Sequence, residues 1–432
     1  MRALVVILCV AAILRFLAIG PVHSAGYTSD EREYLSMARG MLDRGEFVDS
    51  NGDRGVRAPL YPGFVALLLL AGGGFLVHAA GCLLGTGVVW LTYRLSRRCG
   101  VEERAALVAA GIVALYPGMV VYSTLAQTEM LYTVFLLLAM LGALDLMDVP
   151  RRGTGIVTGI VAGAAALTRV VFAGFIPVLL GMLMWRHRAN LRAALVPAGL
   201  ALLFAVLTIL PWTVRNAAVL GEFVPITSGG GSSLLTGNNP YATGTYRSRE
   251  GFDAYLAAGM RERGTDPGSV TETERSRIAG SIAREWVMAH PGDALGLALT
   301  KSYIFWIYPI THSDSYVPLQ ALAVGVDGVL ALLFVAGGVI LWRDRRKFLL
   351  PGGAILFFWG VQAVLHAEAR FRLPIIPLTA VIAGVAAMAL IQDRARRGVL
   401  AETGPRIAVG IGWACVILVY GATAVLHMRG AI

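Results

Sequence analysis

Nine stretches of this sequence are apolar for long enough to cross a hydrocarbon layer of roughly 30 Å. That repetition leaves a chain of 432 residues little choice but an all-α polytopic membrane fold, because in lipid the backbone must satisfy its own hydrogen bonds. The runs are 1–20, 73–93, 105–122, 128–147, 192–212, 318–342, 349–366, 373–391 and 406–426. Two shorter runs, 154–167 and 170–186, flank Thr168-Arg169 and read as a helical hairpin, which raises the expectation to about eleven transmembrane helices. Composition agrees: 56% of residues are hydrophobic and 15% charged, and a water-soluble fold would struggle to stay in solution with that balance.

The net charge of +10 suggests nucleic acid only until its distribution is read. Segments 94–104, 148–152, 186–192, 343–347 and 392–406 hold 17 Lys+Arg against 6 Asp+Glu, and each follows an apolar run on the same alternating side. The positive-inside rule makes that side cytoplasmic, so no nucleic-acid partner is expected. The complementary segments are long and mixed in charge: 21–58 carries five Arg and seven acids, and 213–293 carries eight Arg and nine acids. Both are placed outside, as two insertions in one membrane domain. The first run contains Arg15 and is long for a signal sequence, so it is read as a retained first helix. Cys9, Cys82, Cys99 and Cys415 avoid the long external segments and form no disulfide framework or paired zinc motif.

The expected layout is an N-terminal membrane module, 1–212, whose first external loop, 21–58, carries the acidic motif. An external region, 213–317, follows, and then C-terminal transmembrane helices, 318–432. Segment 30–43 has Tyr34, Ala38, Met41 and Leu42 at helical spacing among charges, as an amphipathic helix lying in the interface does. Ser228–Ser233 and Gly237-Asn-Asn-Pro240 are loop chemistry. The aromatic run 294–310 is read as re-entrant or interfacial, because one more crossing there would put Arg343–Lys347 outside. Gly72-Gly-Gly74 means close helix packing or a break in a helix.

The densest polar cluster beside a membrane helix is Ser29-Asp-Glu-Arg-Glu-Tyr34. Its carboxylates suit a general base or a metal, or they merely cap a surface helix whose dipole favours acids in the first turn. Arg57, in Arg57-Ala-Pro-Leu-Tyr-Pro62, stands at the same interface. Its planar fork fits a phosphate, and the competing reading is headgroup contact. Arg15, Glu129, Arg169, Arg215, Glu368, Arg370 and Arg372 fall at or near outer helix ends. Their shared side points to a phosphate cavity or to structural ion pairs such as Glu368 with Arg370 or Arg372. The seven His show no HxH or HExxH spacing, and His312-Ser-Asp314 is an external candidate for a site.

These pieces together resemble the GT-C glycosyltransferases that use polyprenyl-phosphate sugars, in the branch of protein O-mannosyltransferases and lipid A aminoarabinose transferases. The resemblance rests on Asp30-Glu31 with Glu33-Tyr34 and Ala38, Arg57-x-Pro-x-Tyr-Pro62, Thr128-Glu-Met-Leu-Tyr132, Leu167-Thr-Arg169, Pro211-Trp-Thr-Val-Arg-Asn216, Gly237-Asn-Asn-Pro240 and Arg370-Phe-Arg-Leu-Pro374. It implies a GT-C fold and transfer, with inversion, of a sugar from a polyprenyl-phosphate donor to a lipid, glycan or protein acceptor. The reaction is expected on the outer face of the cytoplasmic membrane, facing the periplasm or cell exterior. It implies Asp30 as catalytic base with Glu31 beside it, and Glu33, Tyr34 and Glu129 orienting acceptor or sugar. Arg57, Tyr61, Arg169, Arg215, Asn216, Arg370 and Arg372 are implied at the donor phosphate. Some members use a divalent metal cation and others do not, and no His here matches a ligand position, so the cofactor is left open. The competing class is a transporter or flippase of lipid-linked sugar, which predicts paired halves and charges near the midplane.

Overall fold

The computed structural model describes residues 1–24, 28–245, 249–307, 317–342, 344, 348–392 and 403–428, with side chains left out at 249–250, 317–322, 403–407 and 421–428. His312-Ser-Asp314 and most of the basic segments 343–347 and 392–402 lie outside the described residues. Every element among the described residues is helical, as the hydropathy requires.

Helix α1 (Arg2–Ser24) is followed by the short α2 (Ser29–Arg44). Then come α3 (Leu60–Arg98), α4 (Glu103–Leu115), α5 (Pro117–Thr124) and α6 (Glu129–Asp148). The hairpin expected around Thr168-Arg169 is α7 (Arg152–Thr168) and α8 (Val171–Arg186), and α9 (Leu191–Leu220) closes the N-terminal part. The segment 213–317 contributes α10 (Gly230–Gly237), α11 (Arg249–Glu262) and α12 (Glu272–Ala289). After α13 (Pro291–Trp306), α14 (Val317–Ile340) and α15 (Leu349–Val364), a 3₁₀ turn (Ala369–Ile375) leads into α16 (Ile376–Ile391) and finally α17 (Thr403–Met428).

Six of these stretches are long and apolar enough to cross a membrane: α1, α3, α6, α9, the Ala323–Ile340 part of α14, and Ala369–Ile391. The pair α4 and α5 makes a seventh, bent by 54°. The run 105–122, uniform in hydropathy, breaks there because Pro117 donates no backbone hydrogen bond and Tyr116 takes extended angles. The expectation of about eleven crossings also counted α7, together with α8, α15 and the Ala408–Tyr420 part of α17, which are apolar but short.

The glycines at 72–74 make a break. Gly73 has φ +72°, and no atom would meet a Cβ there within 4 Å, so the requirement is conformational. The helix therefore starts at Leu60, well before the apolar run 73–93, and its first part carries Tyr61 toward α2. Close packing is found instead between α7 and α9, where a Cβ on Gly155 or Gly159 would lie 2.4 or 2.3 Å from the carbonyl oxygens of Pro197 and Ala201.

The two long polar segments, 21–58 and 213–293, are clamped together. Arg275 pairs with Asp53, Glu272 accepts from the Arg54 N–H and the Ser228 hydroxyl, and the Ser228 N–H donates to the Gly55 carbonyl. The Gly237-Asn-Asn-Pro240 motif joins this layer to the end of α15. Asn238 Nδ2 donates to the Val364 carbonyl at 2.8 Å, and buried Lys301 Nζ donates to Asn238 Oδ1 at 2.9 Å. The loop end of Arg57 and the entry to the 3₁₀ turn are thus both fixed from outside the bundle.

Candidate active site

Asp30 lies in the first turn of α2, which Thr28 caps by accepting the Glu31 N–H at 3.1 Å. Adjacent helical residues point about 100° apart, so Asp30 and Glu31 serve different surroundings. Asp30 turns toward two arginines: Arg57 Nη2 donates to Oδ1 at 3.1 Å, and Arg370 Nη2 stands 2.5 Å from Oδ2. Burial alone would raise the Asp30 carboxyl. The opposing charges and hydrogen bonds of Arg370 and Arg57 outweigh it and hold the group at about 2. Glu31 is fully buried, accepts the Ala126 N–H at 2.8 Å, and has its Oε1 3.9 Å from His78 Nδ1. The two acids expected to act side by side are therefore separated.

Arg370 comes from the 3₁₀ turn and also donates to Gln127 Oε1 at 3.0 Å, while Gln127 Nε2 donates to Thr28 Oγ1 at 2.7 Å. Next to Gln127, Glu129 opens α6 and pairs with Arg169, the C-cap of α7, at 3.3 Å. Glu129 Oε2 and the Tyr132 hydroxyl, one turn on, are buried with no partner among the described residues. Arg169 stacks over Phe371 at 4.7 Å and Tyr132 at 5.7 Å, and Arg57 over Tyr34 at 5.5 Å, so aromatic faces hold both guanidinium planes. Tyr34 packs edge-on against Tyr61, ring centroids 5.0 Å apart. Burial raises its hydroxyl, and the charges of Arg57, Asp30, Glu129 and Arg169 all act on it. Asp30, Tyr34, Arg57, Tyr61, Glu129, Arg169 and Arg370 thus form one centre, built from the ends of α2, α3, α6, α7 and the 3₁₀ turn.

The other expected residues stand apart from it. Glu33 accepts the Ser50 N–H at 3.0 Å and braces the first external loop. Arg215 donates to the carbonyls of Arg54 at 2.6 Å and Phe47 at 3.3 Å and lies over Trp212, a tie between α9 and that loop. Asn216 Nδ2 donates to the carbonyls of Val224 and Ile226, both at 3.1 Å. Arg372, two residues beyond Arg370, faces the other way and pairs with Asp327 in α14, and Tyr116 also donates to Asp327. Arg370 pairs with Asp30, with the charge of Glu368 also acting on it, and Arg372 pairs with Asp327. Asp327 went unnoticed in sequence, although a single acid inside the apolar run 318–342 was the available signal. Gln127 and Thr28 carried no signal of their own.

The sequence profile of the dolichyl-phosphate-mannose-protein mannosyltransferases matches residues 72–224. No curated protein matches the chain. Among solved structures, the archaeal oligosaccharyltransferase AglB of Archaeoglobus fulgidus, in complex with an inhibitory peptide and a dolichol-phosphate, matches at 13% identity and TM-score 0.54, over 100% of this chain and 55% of that one. The same oligosaccharyltransferase in complex with zinc and sulfate matches at 14% identity and TM-score 0.55, over 98% and 53%. The chain spans about half the length of these structures. ArnT of Cupriavidus metallidurans, bound to undecaprenyl phosphate, aligns at 15% identity and TM-score 0.44, over 91% and 78%. The chain is a multi-pass membrane protein with the fold of the GT-C glycosyltransferases.

Proposed function

We propose that this protein is a membrane glycosyltransferase that moves a sugar from a polyprenyl-phosphate carrier to a hydroxyl of a lipid, glycan or protein acceptor. The reading rests above all on one observation: a single carboxylate, Asp30, held between Arg57 and Arg370 where helix ends of a polytopic fold meet. An Arg pair gathered on one acid can transfer its hydrogen bonds to an entering phosphate, which offers the same bidentate geometry. The mannosyltransferase profile and the dolichol-phosphate reported with AglB support a lipid-linked phosphate as that group. The positive-inside pattern supports an active site on the outer face of the cytoplasmic membrane.

The chemistry follows from the arrangement. While both arginines are bonded to it, Asp30 is a weak proton acceptor. A donor phosphate that engages Arg57 and Arg370 strips those bonds from the carboxylate and leaves it free to take a proton. The acceptor oxygen then attacks the sugar C1 from the face opposite the phosphate, its proton passes to Asp30, and the C1–O bond breaks with its electron pair going to the phosphate oxygen. The configuration at C1 is inverted. Charge gathered on the leaving phosphate meets Arg57 and Arg370 in a centre that already holds them in place. Glu129, fixed by Arg169 and with one buried oxygen unpartnered among the described residues, is suited to receive a sugar hydroxyl. The residues that fit a divalent cation are a separate group, His23, Glu31 and His78.

The test is purified protein in lipid with a panel of radiolabelled polyprenyl-phosphate sugars, alongside Asp30→Asn. Loss of label from one carrier with wild type, and none with the variant, is the expected result. Movement of the intact donor across a vesicle bilayer without turnover would overturn the reading.

A further inference from the structure

Behind the Asp30 turn, on its buried side, three metal-ligating side chains from three different elements converge: His23 at the end of α1, Glu31 in α2 and His78 within α3. Their ligand atoms all lie within 4.8 Å of one another. The two imidazoles meet edge to face, centroids 4.0 Å apart. His23 Nε2 and His78 Nδ1 are both aimed at one atom, the Thr124 carbonyl oxygen, at 3.1 and 2.8 Å. Two imidazole nitrogens on one carbonyl are both satisfied as hydrogen bonds only if each carries its proton on that side. These separations of 3.1 and 2.8 Å, with 3.9 Å between Glu31 Oε1 and His78 Nδ1, bracket the roughly 3.0–3.4 Å that bonds of about 2.1 Å, set at right angles or tetrahedrally, leave between neighbouring donor atoms around one small cation.

We infer that His23 Nε2, His78 Nδ1, Glu31 Oε1 and the Thr124 carbonyl form a binding site for one divalent transition-metal cation of the zinc type. Two imidazoles with a carboxylate and a carbonyl oxygen are a borderline nitrogen and oxygen donor set, which suits zinc, cobalt or manganese and not calcium or magnesium. Each imidazole binds as the neutral tautomer, with its proton on the other ring nitrogen. The carboxylate is oriented from outside the site by the Ala126 N–H at 2.8 Å, as metal-bound carboxylates commonly are. Glu31 Oε1 lies 3.9 Å from His78 Nδ1, within the span of two bonds of about 2.1 Å to one cation.

The bound cation ties the end of α1, the first turn of α2, the middle of α3 and the carbonyl that ends α5 to one point. That first turn also carries Asp30, so the metal sets the direction from which the carboxylate meets its arginines without touching the substrate. The site accounts for the inward turn of Glu31 and does not depend on which reaction Asp30 serves.

The experiment is metal binding by the whole, tag-free protein in detergent, stripped with a chelator and reloaded with Zn²⁺ or Co²⁺ in the absence of any substrate. Wild type is expected to retain about one equivalent of Zn²⁺ per chain and to give visible d–d bands with Co²⁺. His23→Ala, His78→Ala and the near-isosteric Glu31→Gln should each weaken binding by roughly tenfold or more, while Asp30→Asn keeps the stoichiometry and the spectrum. Should His78→Ala not fold, His23→Ala at the helix end and Glu31→Gln carry the test. Substoichiometric Zn²⁺ on wild type, or retention undiminished in His23→Ala and Glu31→Gln, would overturn the site and leave a purely hydrogen-bonded cluster.

Discussion

Asp30 and Arg57 make opposite demands on the same bond, and their substitutions separate binding from chemistry. Asp30→Asn removes the proton acceptor but releases Arg57 and Arg370 from an anionic partner. Turnover should fall by about 10²–10⁴, the usual worth of a positioned base, while donor affinity is kept or improved. Equilibrium binding of a polyprenyl phosphate beside single-turnover assays would show it, and weakened binding in Asp30→Asn would mean that the arginines do not wait for a phosphate. Arg57→Ala should raise the donor Kd by about tenfold or more, a loss of ~1.4 kcal/mol. Arg57 is about one-third exposed, so the melting midpoint should scarcely move. Unchanged affinity would remove Arg57 from the phosphate site. At this scale the sequence picked out Asp30, Tyr34, Arg57, Tyr61, Glu129, Arg169 and Arg370, which gather, but also Glu31, Glu33, Arg215, Asn216 and Arg372, which do not, because it does not record which way each side chain faces. Asp30 and Glu31 are consecutive on a helix, and Arg370 and Arg372 are two apart in a 3₁₀ turn of three residues per turn, so each pair had to split between two surroundings.

The elements show the same division between what hydropathy records and what tertiary contacts decide. The apolar runs mark most helices, yet the run 73–93 begins after the start of α3 at Leu60, because Gly72–Gly74 divide an apolar stretch that already opens before them. Nor does an apolar run show that the 3₁₀ turn is held by an ion pair to another helix. Arg372 is 2% and Asp327 5% exposed, and the pair joins that turn to α14, with Arg372 Nη1 also donating to the Phe305 carbonyl of α13 at 3.1 Å. Removing one member leaves a buried charge without its partner, which costs about 3–5 kcal/mol, whereas an apolar replacement of both costs far less. Arg372→Met and Asp327→Leu should therefore each lower the melting midpoint strongly, and the double variant should recover most of the loss. Additive losses in that cycle would show that the two residues act separately. Because Arg370 lies in the same turn, the single variants should also reduce turnover, and the double variant should restore it along with stability.

At the scale of the whole molecule, the centre is assembled where three parts meet: the bundle, the loop after α2 clamped by Asp53, Arg54 and Glu272, and the polar segment 213–293 anchored through Asn238 and Lys301. The length and mixed charge of 21–58 and 213–293 set them apart in the sequence from the apolar runs, but do not tell that they bind one another, since the paired residues are far apart along the chain: Arg54 meets Glu272 and Asp53 meets Arg275. His366 reports on this junction. It follows α15, its ring lies 5.7 Å from that of Phe371, and the backbone of Ser233 in α10 is its hydrogen-bond partner. Burial first, then the nearby charges of Arg370, Arg169 and Lys301, push its imidazole down to about 4, against the Ser233 bond that raises it. The folded protein thus holds a proton on His366 less tightly than the unfolded chain, whose imidazole titrates near ~6.5. The sign follows: stability from this group is full above pH ~6.5 and is lost as the pH falls toward 4. Thermal midpoints of the detergent-solubilised protein should be level through neutral pH and decline between pH ~6.5 and ~4.5, and His366→Gln should flatten much of that decline. An equal decline in the variant would place the acid sensitivity elsewhere and would mean that the segment carrying Ser233 does not seal His366 from water.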